Sequence, residues 1–80
     1  MDMHGVRPGD LFELNNCSQN GERVVLIATN KKRDSEEWRF IVFWIVTTIG
    51  GSSHASMGDT LNLEAEDLHK IAYKIKNVLS

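Results

Sequence analysis

The amino-acid sequence predicts an α+β domain: a small, strongly bent antiparallel β-meander of three to four strands that closes as a small barrel, followed by a C-terminal amphipathic helix. Three observations lead there. Arg23–Thr29 and Trp38–Ile49 are apolar on both faces at strand periodicity. Leu68–Leu79 instead repeats its apolar residues at helical spacing. Polar segments with turn chemistry separate these runs and let the chain reverse between them.

The elements follow in order. Arg7-Pro8-Gly9-Asp10 has a residue of fixed φ followed by one that tolerates positive φ, the pattern of a turn feeding a strand, here expected near 11–14. Asn20-Gly21 suits a type I′ reversal, and the next strand is expected near 23–29. The charged segment Asn30–Glu37 reads as a solvated hairpin loop. The central strand, near 38–49, holds Trp38, Phe40, Val42, Trp44 and Val46 on one face and Arg39, Ile41, Phe43, Ile45 and Thr47 on the other. At about 3.3 Å per residue it is too long to run straight in a small domain, so it is expected to bend.

Gly50–Gly58 has the composition of a flexible linker, with one more short strand possible near 59–63. The helix is expected near 63–79, with Leu68, Ile71, Ala72, Ile75, Val78 and Leu79 on one stripe. Asn62 would be its N-cap and Glu66 and Lys70 a favourable i to i+4 pair. Acidic residues crowd its start and lysines its end, as the helix dipole prefers.

The 80 residues, 41% hydrophobic and 25% charged, fit a single globular domain over 1–80 and are too apolar for disorder. A formal charge of −2 argues against a protein whose main task is coating nucleic acid. Cys17 is the sole cysteine, so no intramolecular disulfide forms, which favours a reducing, cytoplasmic location. The residues 1–5 carry neither the charge nor the apolar run of a secretory leader. Phe40–Val46 is far shorter than the roughly 20 residues of a membrane helix, so a soluble chain is expected.

Gly9-Asp10-Leu11-Phe12-Glu13-Leu14, Gly21-Glu22-Arg23-Val24-Val25-Leu26-Ile27 with Asn30, and Ile41–Thr47 together resemble SH3-like small barrels. The order is most similar to the MazF and Kid type of toxin ribonuclease, over residues 8–48. The resemblance implies that Arg23 matches the family's strand arginine, which acts on the scissile phosphate, and that Thr47 or Thr48 matches the nearby hydroxyl residue. The chain departs from the family in having Val24 where a proline usually follows that arginine, and in its shorter length.

No catalytic constellation, cofactor motif or metal-ligand spacing stands out. His4, His54 and His69 fall at no metal-binding interval, and the serines around His54 lie too close in sequence to form a nucleophile with an oriented base. The strongest functional signal is the covering problem: two strands are apolar on both faces, and one helix covers one face. A closed barrel, a symmetric dimer or a partner protein would each resolve it. The sequence therefore suggests a non-enzymatic module, a small regulator or inhibitor, that binds another protein or its own copy. Its partner-binding residues would be Trp38, Phe40 and Trp44, with Arg23 and Arg39 at the rim. The alternative is an RNA-directed barrel, either a ribonuclease of the toxin type that the resemblance implies or an RNA binder in which Lys31, Lys32, Arg33 and Arg39 hold phosphates beside stacking aromatics.

Overall fold

Two strands with unbroken apolar stretches, Val24–Ala28 and Phe40–Val46, set the sheet, and the rest of the chain is laid against them. In the computed structural model, which describes residues 5–15, 22–47, 50–51 and 53–79, these are β2 (Glu22–Lys31) and β3 (Glu37–Thr47). The other elements are β1 (Asp10–Leu14), β4 (Ser53–Glu64), the helix α1 (Ala65–Ile71) and β5 (Ala72–Asn77). All pairings are antiparallel, and the strand order is β4-β3-β2-β1-β5. No helix among the described residues is long and apolar enough to cross a membrane. The Asn20-Gly21 turn, His4, Cys17, Thr48 and Ile49 lie outside the described residues.

Two sequence expectations are corrected. The sheet is not a closed barrel: β4 and β5 lie at its opposite edges and do not pair with each other. Nor does the chain end in a long amphipathic helix, for α1 spans 7 residues and gives way to a strand at Ala72. The reason is a competition for backbone partners. β1 would otherwise expose a row of unpaired N–H and C=O groups, and 72–77 satisfies them. Tyr73-Lys74-Ile75 alternates at period two as readily as it fits the helical stripe. The helix is stopped where Ala72 turns extended, at φ −146° and ψ 161°, and the Ile71 carbonyl accepts from Asn15 N–H at 2.7 Å. Of the expected stripe only Leu68 and Ala72 are buried; Ile71, Ile75, Val78 and Leu79 are exposed.

The segment read as a linker is also largely strand. β4 runs 12 residues and pairs with β3 from Ser53 opposite Thr47 to Glu64 opposite Glu37. A register shift falls between Ile41 and Phe43, where Gly58 and Asp59 together stand against Val42, one residue more on β4 than on β3. Asn62 is thus a strand residue, and the helix N-cap position is Glu64, without a side-chain cap bond.

The core lies on one face of this sheet. Phe12, Leu26, Ala28 and Phe40 point to it, and α1 lays Leu68 over them while Val6 and Ala72 fill the margin. The Phe12 and Phe40 rings meet edge to face with centroids 6.1 Å apart, and the His69 ring lies edge-on to Phe12 from the helix. Each such side chain contributes about 1.5–3 kcal/mol by leaving water.

A polar latch holds β5 in place. Arg7-Pro8-Gly9-Asp10 forms a type II turn, with Asp10 N–H donating to the Arg7 carbonyl at 3.0 Å and Gly9 at φ +88°. A Cβ at Gly9 would stand 2.6 Å from Leu79 Cγ, so the turn and the C-terminal residues require glycine there. The Asp10 carboxylate, fully buried, accepts from Arg7 N–H at 2.9 Å and from Asn77 Nδ2 at 2.8 Å, and faces Lys74 Nζ at 3.3 Å. Burial pushes the Asp10 pKa up, but the Asn77, Arg7 and Lys74 contacts outweigh it and hold the carboxyl below its ordinary value.

Because the folded-state pKa of Asp10 is depressed, its stabilisation is present above the unfolded value near 3.9 and is lost as pH falls through the folded one. Asp10→Asn is expected to be about 1.5–3 kcal/mol less stable than the parent at pH 7, with the gap closing as pH falls below the ordinary aspartate value. Urea unfolding across pH checks this; a gap independent of pH would contradict it.

Candidate functional site

Strand register assigns every side chain to one face. Because Val25 pairs with Phe43, Ile27 with Ile41 and Leu11, and Arg23 with Ile45, these residues share the face opposite the core. β4 adds Ala55 and Met57, opposite Ile45 and Phe43. β5 adds Tyr73, opposite Glu13. α1 packs on the other face, and no described element covers this one. The result is a shallow apolar trough of about 340 Å³ floored by Leu11, Val25, Ile27, Phe43 and Ile45, with Ala55 and Ile75 at its two sides. Val25 is buried by its taller neighbours, whereas Met57, Tyr73 and Ile75 are 71%, 50% and 40% exposed.

One charged cluster borders the trough. Glu13, only 7% exposed, accepts from Arg23 Nε at 3.0 Å and also from Arg23 Nη2. The pair raises the already high pKa of Arg23, so the guanidinium stays charged throughout. Loss of solvent around the Tyr73 phenol, then the negative Glu13 carboxylate that accepts its hydrogen bond, push the Tyr73 pKa above its ordinary value of 10. Glu13 is thereby compensated from two sides without a metal. Among the described residues no group of three or more His, Cys, Asp or Glu side chains is placed to hold one.

The five partner-binding residues expected from sequence fall on two faces. Phe40 is fully buried in the core and offers no surface. Trp38 packs at the core margin and floors a second opening, of about 370 Å³, beside Lys31, Glu36, Glu64 and Glu66. Trp44 is 49% exposed at the far end of the core face, where its indole edge lies along Gly58. Arg23 and Arg39 are on the opposite face, Arg23 tied to Glu13 and Arg39 exposed. Thr47, implied by the family resemblance, shares the face of Arg23 and has its hydroxyl 3.2 Å from Ser53 Oγ; Thr48 lies outside the described residues.

Sequence reasoning passed over Leu11, Val25, Phe43, Ile45, Ile75 and Lys76 as surface residues. A signal was present: the second face of the central strand, Ile41-Phe43-Ile45, is apolar and matches Val25 and Ile27 across the hairpin. Ile75 and Lys76 carried none, since they read as helix. Comparison with protein-family models, curated proteins and solved structures finds no match to the chain, so geometry alone bears on function.

Tyr73 is the chain's one tyrosine, so an ultraviolet pH titration reports it without overlap. Its midpoint is expected above 10 in the parent and lower in Glu13→Gln; equal midpoints would show that Glu13 does not hold the phenol.

Proposed function

We propose that this chain is a non-enzymatic protein-interaction module that docks a partner protein on the uncovered face of its sheet. The observation that supports this reading is the trough: seven apolar side chains drawn from all five strands, on a face that no described element covers. Sheets in globular proteins bury apolar faces against another element, and contiguous exposed patches mark interaction sites. The neighbouring edge, β4, adds free backbone groups over 12 residues, the material of main-chain pairing with another chain.

The same surface suits RNA less well. Stacking platforms carry several exposed aromatics in a groove of cations, whereas the residues lining the trough include Phe43 as their one aromatic ring, and of their two cations Arg23 is bound to Glu13. The reading extends to a cytoplasmic location, where a lone Cys17 stays reduced.

Site-specific photo-crosslinking in the native host tests the reading. A photoreactive residue at Met57, on the uncovered face, is expected to give a discrete protein adduct, while one at Lys70, on the exposed side of α1, gives none. An adduct of twice 9.0 kDa would identify the partner as a second copy. Absence of a protein adduct at Met57, or adducts to nucleic acid alone, would overturn the proposal.

A further inference from the structure

The pairing of β5 with β1 contains an irregularity that changes what the trough presents. Phe12 pairs with Lys74 but Leu11 pairs with Lys76, so Ile75 is an extra residue bulged out of the ladder. Without the bulge, strand alternation would send Lys76 to the core side along with Lys74. With it, Ile75 and Lys76 both line the trough. A bulge of this kind re-aims a side chain at the expense of a ladder position.

The charge that results is uncompensated. Of the two described cations lining the trough, Arg23 is neutralised by Glu13, whereas Lys76 makes no ion pair with any described carboxylate, and no described carboxylate lines the trough. Glu13, which follows Leu11 along β1 on the same face, is taken up by Arg23 and Tyr73. The apolar face of a chain whose formal charge is −2 is thus locally positive.

We infer that the occupant of the trough is an apolar segment of a partner protein that carries an aspartate or glutamate placed against Lys76. This rests on the reading of the uncovered face as a docking surface and adds its chemistry. An apolar segment closing over the trough strips water from the Lys76 ammonium, which is costly unless an anion replaces the lost hydration. A basic segment would meet a like charge at the same spot and be rejected.

A random peptide library displayed on phage, selected in parallel against the full chain and against Lys76→Glu, tests the inference. Lys76 is an exposed surface position, so the substitution leaves the fold intact. The parent is expected to enrich peptides with an apolar run next to an acidic residue, and these bind Lys76→Glu about tenfold or more weakly. The variant is expected to shift its own selection toward basic residues. Enrichment of apolar peptides without acidic residues, equally well bound by both proteins, would overturn the charge assignment and leave the docking surface standing. Enriched peptides that leave the NMR signals of Ile27, Ile45 and Ile75 unmoved, or no enrichment at all, would overturn both.

Discussion

A five-stranded sheet whose strands β2 and β3 carry apolar residues on both faces needs two covering layers, and the described residues supply one. α1 is a 7-residue helix that buries a single large side chain, Leu68, over Phe12, Leu26 and Phe40. That is enough to seal the core face near the middle of the sheet. It leaves Trp44 and Val46 half open at the far end and leaves the opposite face without a lid. The trough, the exposure of Met57 and Ile75, and the functional reading all follow from this shortage of covering structure.

β1 is the shortest strand, and it is held between β2 on one side and β5 on the other. Its alternation sends Asp10 and Phe12 to the core side and Leu11 and Glu13 to the trough side. Each carboxylate is buried, and each ties β1 to a neighbour by charge-assisted hydrogen bonds. Asp10 reaches Lys74 and Asn77 of β5, and Glu13 reaches Arg23 of β2 and Tyr73 of β5. Such groups are costly to bury alone and well tolerated when fully paired. Their pairing gives β5 a fixed register at a sheet edge where a mixed apolar and lysine-rich segment has little packing to hold it.

The apolar runs at 23–29 and 38–49 announced β2 and β3, because period-two burial on both faces leaves few other options for β-branched and aromatic residues. The type II turn at Pro8-Gly9 was equally legible, since the residue types encode its dihedral angles. What the sequence did not show was governed by long-range pairing. Ser53–Gly58 has linker composition and becomes strand because the outer edge of β3 needs a partner. Ala72–Asn77 has helical spacing and becomes strand because β1 does. The trough was half visible: Ile41, Phe43 and Ile45 read as a second apolar face, while of the aromatic face of Trp38, Phe40 and Trp44, expected to bind a partner with Arg23 and Arg39 at its rim, the core takes Phe40 and part of Trp38. The bulge that turns Lys76 into the trough is a property of strand register and has no mark in local sequence.

In the proposed reading, main-chain edges, an apolar trough and one re-aimed lysine form a docking surface for another chain, and all of it depends on that face being open in the isolated protein. Solvent paramagnetic relaxation with a soluble gadolinium chelate, read at methyl groups in dilute solution, measures this directly. The methyls of Met57, Ile45 and Ile75 are expected to relax strongly while those of Leu26 and Leu68 are spared. Protection of Met57 and Ile75 equal to that of Leu68 in a monomer would mean that the chain covers this face itself, and the account would fail.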